Sequence, residues 1–205
     1  MPQYGDEKYI YAMALMEAED RNEDIPNDIN NGYVVIEDNS IPFNERVIIE
    51  KRLYMIIPAD FELMPIEIAE IKYPNEGRPD IIFSNEDGSI NINFKLIEDK
   101  LKARDVKTVK DLLQQEMVEK NTECKMVSSA VIEGDTRIGY FDFISPAFDG
   151  DIYNLMFLFP LDEQIVLGSF NCMHFDMAGW LEIAVQMLRS IRTVQRKCLY
   201  EEAKV

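Results

Sequence analysis

The sequence predicts an α+β fold: a curved antiparallel sheet covered by helices in an α/β/α sandwich, preceded by an acidic N-terminal extension. Three observations predict it. Strand-like runs come in groups with helices set between the groups, the order of α+β rather than alternating α/β chains. Short turn-rich connections join the last four strands, which makes them an antiparallel meander. The helical segments are apolar on one side only, so each has a single face with which to cover a sheet.

The first 45 residues hold eleven acidic side chains against Lys8 and Arg21, about half of the net charge of −17. Residues 1–31 read as an acidic arm. Tyr9, Ile10, Ala12, Met13, Leu15 and Met16 are spaced so that it can form a short amphipathic helix, and the stretch from Asp24 to Gly32 is rich in breakers. Residues 32–205 form the body, a length that suits one domain.

Strand signals open the body. Tyr33–Ile36 and the run from Val47 to Ile57 are rich in β-branched and aromatic residues, and Pro58 ends the second run. Pro65 suits the first turn of a helix carrying Ile66, Ile68, Ala69 and Ile71. After the loop Tyr73–Pro79, Ile81–Ser84 and Ile90–Leu96 flank Asp87-Gly88, a hairpin turn. The second of these strands alternates, apolar at even positions. Residues 105–120 repeat apolar side chains (Val106, Val109, Leu112, Leu113, Met117, Val118) at helical spacing, with Asp105 as N-cap. The meander covers about 124–133, 137–146, 151–160 and 164–173. Asp176 then caps a last helix through Met177, Trp180, Leu181, Ala184, Val185, Leu188 and Ile191.

This plan resembles the Mog/PsbP-like sandwich. The residues that carry the likeness are Tyr54-Met55-Ile56-Ile57-Pro58-Ala59-Asp60-Phe61 before a short helix, the hairpin through Asn85-Glu86-Asp87-Gly88, and Leu167-Gly168-Ser169-Phe170-Asn171-Cys172 running into a helix with the lone Trp. The match covers about residues 46–195, and the acidic arm departs from it. The resemblance implies a binding or accessory protein. One branch of such proteins is similar to a Ran-binding nuclear import factor and another to an extrinsic photosystem subunit.

Charge narrows the function classes. A sequence pI near 4.4 repels phosphate backbones, so no nucleic-acid partner is expected. There is no run of 18 apolar residues to span a membrane and no secretory signal pattern at the start. Cys124, Cys172 and Cys198 are odd in number and widely spaced, which suits reduced thiols in the cytoplasm. Phosphate-binding glycine motifs, nucleophile elbows and metalloprotease helices are lacking, so no cofactor and no metal is expected.

Two constellations stand out. The loop Tyr73-Pro74-Asn75-Glu76-Gly77-Arg78-Pro79 is stiffened by two prolines and offers Tyr73, Glu76 and Arg78 for recognition. The alternative reads Cys172, His174 and Asp176 as a thiol site: on an extended chain the three would point to one side, a thiol, an imidazole and a carboxylate together. Against it, Asp176 has a task as helix cap, and Cys172 suits a small buried position. The reading that follows is a non-catalytic, cytoplasmic, protein-binding protein whose partner has a basic surface. A thiol-dependent or hydrolytic enzyme is the first alternative. A small-molecule-binding module, with its pocket between the sheet and the terminal helix, is the second.

Overall fold

The computed structural model describes residues 27–74 and 77–194. The arm expected over residues 1–31 therefore lies mostly outside the described residues. Its last part, Asn27–Asn31, packs on the body: Ile29 is buried, its N–H donates to Gln186 Oε1 (3.1 Å), and Gln186 Nε2 donates back to the Asn27 carbonyl (2.8 Å).

All strand pairs are antiparallel, in two sheets. β1 (Tyr33–Ile36), β2 (Asn39–Ile49), β3 (Leu53–Pro58) and β11 (Arg192–Thr193) form a four-stranded sheet in that order. β4 (Glu62–Leu63), β5 (Ile81–Ser84), β6 (Asn91–Lys100), β7 (Lys125–Ile132), β8 (Ile138–Ser145), β9 (Ile152–Leu161) and β10 (Gln164–Met173) form a seven-stranded sheet in the order β4-β5-β6-β10-β9-β8-β7. Among the described residues three α-helices cover them: α1 (Ile66–Lys72), α2 (Val106–Lys120) and α3 (Met177–Arg189). α2 packs on β8 and β9, while α3 packs on both β10 and β3.

The pleat explains the layering. Along β9 the odd positions Tyr153, Leu155, Phe157, Phe159 and Leu161 enter the main core with Trp180, Ile183 and Met187 of α3 and Leu53, Met55 and Ile57 of β3. The even position Leu158 faces the other way, into a smaller cluster with Val106 of α2 and Leu101. The large sheet is thus covered on both faces, as the helix patterns require.

The four meander strands lie within one residue of their expected bounds, and the β5–β6 hairpin turns through Gly88 at φ +71°. The run from Val47 to Ile57 is two strands rather than one. The chain reverses at Glu50-Lys51-Arg52, with Lys51 in the left-handed region (φ +58°) and Arg52 N bonded to Ile49 O at 3.0 Å. A turn made of three long charged residues lacks the glycine or asparagine that usually marks one. On α2 the expected apolar stripe holds at Val106 but not throughout: Leu112 and Val118 are exposed, and Lys110 is buried instead. Its ammonium donates to Ser129 Oγ and to Gln114 Oε1 (3.3 Å) and pairs with Asp111 (2.5 Å), which meets the demand that a buried charge be paired. Asp105 and Asp176 occupy the N-cap positions of α2 and α3, yet neither side chain makes a capping hydrogen bond.

Candidate functional site

α1 stands at one edge of the large sheet, after the short outer strand β4. Pro65 presets its entry with φ −55°. Ala69 is the only one of its residues that is buried. Residues turn by about 100° along a helix, so Ile71 projects about 160° away from Ala69 and Ile68 about 100° away. These side chains cannot share the buried face. Ile71 is accordingly 78% exposed and Ile68 50%, beside Ile66 at 59% and Leu63 of β4 at 60%. Four branched aliphatics thus stand in solvent within nine residues. Glu62, Glu67 and Glu70, all exposed, lie among them.

The loop picked out in the sequence anchors this helix. Tyr73 directs its hydroxyl inward to Asn91 Oδ1 (2.7 Å), and burial raises its pKa. Arg78 Nε donates to the Tyr73 carbonyl (3.1 Å), and its Nη1 pairs with Glu70 of α1 (3.3 Å). Lys72 donates to the Gly88 carbonyl of the β5–β6 hairpin. Tyr73 and Arg78 are thus brought together, and both hold α1 in place. Glu76 lies outside the described residues. The apolar residues of α1 went unread as surface because a β-branched run after a proline reads as a helix seeking a core. Their spacing carried the signal, since 66, 68 and 71 do not fall on one stripe.

Below the loop, polar side chains cross the sheet in a row. Asn93 donates to Ser169 Oγ (2.7 Å), Ser169 to Asn171 Oδ1 (3.1 Å), Asn171 to Asn154 Oδ1 (2.6 Å) and Asn154 to Ser145 Oγ (2.9 Å). The row joins β6, β10, β9 and β8 beyond the area covered by α2, and Tyr73 docks on its β6 end through Asn91. Amides and hydroxyls matched in this way fix strand register.

The thiol constellation is drawn apart by the backbone. Cys172 is on the core-facing side of β10 and is 1% exposed; burial, aided by the nearby Asp176 charge, pushes its thiol up to about 12. The chain leaves the extended conformation at His174, where a 3₁₀ turn (His174–Asp176) begins, so the alternation ends before the imidazole. His174 is exposed, and its backbone N–H donates to Asp151 O (2.8 Å). No hydrogen bond joins the three side chains among the described residues, and a protonated core thiol is not a nucleophile at neutral pH. Cys124 and Cys172 are both unpaired, and Cys198 lies outside the described residues. Among the described residues no group of three His, Cys, Asp or Glu side chains is placed to hold a metal ion, and no helix is long and apolar enough to cross a membrane. A cleft of about 570 Å³ lies between the β7–β8 turn and the end of α3, lined by Glu133, Thr136, Tyr140, Arg189 and Ile191 among others.

An antiparallel seven-stranded sheet with α2 on one face, and α3 with a second small sheet on the other, is a PsbP-like α+β sandwich. The cyanobacterial PsbP protein of Synechocystis has this fold: it superposes with a TM-score of 0.55 at 8% identity, over 74% of this chain and 92% of that one. LpqN of Mycobacterium tuberculosis, which is involved in cell envelope biogenesis, gives a TM-score of 0.44 at 11% identity over 78% of this chain and 94% of its own. A Pseudomonas aeruginosa protein of unknown function gives 0.40 at 11% identity, over 72% and 94%. At such identities the likeness is one of fold. No protein-family model matches the chain, and no curated protein matches it.

Proposed function

We propose that this is a non-catalytic protein-binding or accessory protein that holds its partner on α1. One observation carries the reading: Ile66, Ile68 and Ile71 stand in solvent on α1, beside Leu63 of β4, and Tyr73 and Arg78 hold that helix in place. Burying a side chain of this size stabilises a complex by about 1.5–3 kcal/mol before association costs, and Ile68 and Ile71, about 60° apart on the helix, can together supply the centre of an interface. A helix already held in place loses little further entropy on binding. Glu62, Glu67 and Glu70, in a chain of net charge −17, favour a partner with a basic surface and an association that weakens with salt. The cytoplasm, where unpaired cysteines persist, is the compartment this reading expects.

The test is native capture from source lysate at low and moderate salt, read by mass spectrometry, with the wild-type chain and an Ile66→Ser/Ile71→Ser variant. Wild type is expected to retain a salt-sensitive partner that the variant loses, while both unfold at the same denaturant concentration. A partner held equally by both would remove α1 as the surface. Absence of any partner in repeated captures would remove the protein-binding reading itself.

A further inference from the structure

At one end of the large sheet the β8–β9 loop, the β10–α3 turn and the β5–β6 hairpin meet. The backbone bond from His174 N to Asp151 O (2.8 Å) ties the first two together. Strand register places the hairpin at the same end: Asn91 of β6 pairs with Asn171 of β10, and Ile152 of β9 pairs with Met173 and with Ser145 of β8. Two phenylalanines project from this end. Phe148 in the β8–β9 loop is fully exposed, and Phe175 in the turn is 75% exposed. Chain length from the His174–Asp151 bond keeps their Cα atoms within about 20 Å of each other. Asp149 and Asp151 follow Phe148 in the β8–β9 loop and Asp176 follows Phe175, while the hairpin carries Asp87, and Lys72 is directed to the Gly88 carbonyl.

An isolated exposed phenylalanine needs no explanation, and a cluster of acids is ordinary on a chain of this charge. The combination has a narrower chemistry. A ring face attracts an ammonium or guanidinium group, and a carboxylate beside the ring neutralises the same cation. The loops are braced as well. Asp87 Oδ1 accepts the Ser89 N–H at 2.8 Å, and Asn154 Nδ2 bonds Ser145 Oγ at 2.9 Å just before the β8–β9 loop.

We propose that this loop end is a second docking surface, taking a lysine- or arginine-bearing protein segment whose cations sit against Phe148 and Phe175 within the carboxylate rim. It extends the protein-binding reading but does not use α1, so the two surfaces can fail separately. The probe is a fluorescein-labelled lysine–leucine peptide, with a glutamate–leucine peptide as control, followed by fluorescence anisotropy on the full chain. Saturable binding of the cationic peptide at low salt is expected, weakening about tenfold at high salt. It should weaken by about fivefold or more in Phe148→Ser/Phe175→Ser, the scale of losing two cation–ring contacts, and stay unchanged in Ile66→Ser/Ile71→Ser. Both phenylalanines are exposed, so the variant is expected to fold, and its denaturation midpoint checks this. Binding by the phenylalanine variant equal to wild type would reduce the effect to diffuse attraction by an acidic chain and overturn the proposal. Absence of saturable binding at low salt would overturn it too. Loss in the α1 variant alone would transfer the contact to α1, sinking the loop-end surface while favouring the first reading.

Discussion

Tyr153 on β9 donates a 2.8 Å hydrogen bond from its phenol to Asp142 on β8, with both side chains shut away from solvent. The other carboxylate oxygen accepts the backbone N–H of Ser128 (2.7 Å) and its hydroxyl (2.5 Å), where β7 bulges between Met126 and Ser128. One buried acid therefore joins three strands. Truncating it should hurt more than removing its partner. Tyr153→Phe is expected to cost about 1–2 kcal/mol, and Asp142→Ala about 2–3 kcal/mol, because the alanine leaves the buried Tyr153 phenol without an acceptor. Urea denaturation measures both; equal midpoints for Asp142→Ala and wild type would show that the bulge does not depend on the acid.

Burial raises the ionisation of two core groups in the same direction. Cys172 moves from an ordinary 9.0 up to about 12, and Tyr153 moves well above the usual phenol range through burial first and the Asp142 charge second. Both are neutral when protonated, and the unfolded chain releases their protons at lower pH. The Cys172 contribution to stability is fully present below about pH 9 and is lost as pH rises through about 12, and the Tyr153 contribution begins to fall at about pH 10. Denaturation midpoints should therefore fall across this alkaline window, and Cys172→Ala should show a shallower fall than wild type. Parallel slopes in the two proteins would exclude the thiol as a source.

The same burial sets an order of thiol reactivity. In a Cys198→Ser background, an alkylating probe near neutral pH should label Cys124, half-buried in the connection before β7, well before Cys172. Cys172 should react only on unfolding. Faster native labelling of Cys172 would revive a thiol-dependent chemistry.

Glycine at 168 is a packing requirement. A Cβ there would lie 2.3 Å from Phe157 Cζ and 2.5 Å from the Asn93 carbonyl oxygen, a backbone atom that cannot swing aside. At Gly179 the nearest obstacle, 2.4 Å away, is a methyl of Ile36. Gly168→Ala is expected to lose about 2–3 kcal/mol and Gly179→Ala less, because a side-chain methyl can move more easily than a strand. Thermal unfolding of the pair orders them, and the reverse order would count against the tight β6–β10 contact.

Much of the fold was legible because its signals are local. The β5–β6 hairpin is written in Asp87-Gly88 and the alternation of Ile90, Ile92 and Phe94; α3 is written in the apolar spacing from Met177 to Leu188. The turn at Lys51 was hidden, since a lysine in the left-handed region leaves no mark in residue type. β11 was hidden as well: Arg192 and Thr193 pair only with Tyr54 and Leu53, from the distant strand β3. The prolines of Tyr73–Pro79 were legible, but the inward aim of Tyr73 and the pairing of Arg78 depend on Asn91 and Glu70 being brought beside them.

The sequence alone determined most of the strands and helices, the antiparallel meander, and the strong negative charge, because periodicity, turn residues and formal charge are properties of neighbours along the chain. Tertiary structure decided which apolar side chains are left over. Ile71 and Phe148 are as hydrophobic as Ile57 and Phe157, yet the first two face solvent and the last two fill the core. A sheet of fixed area has only so much face to cover, and which side chains reach it is settled by packing between elements far apart in sequence.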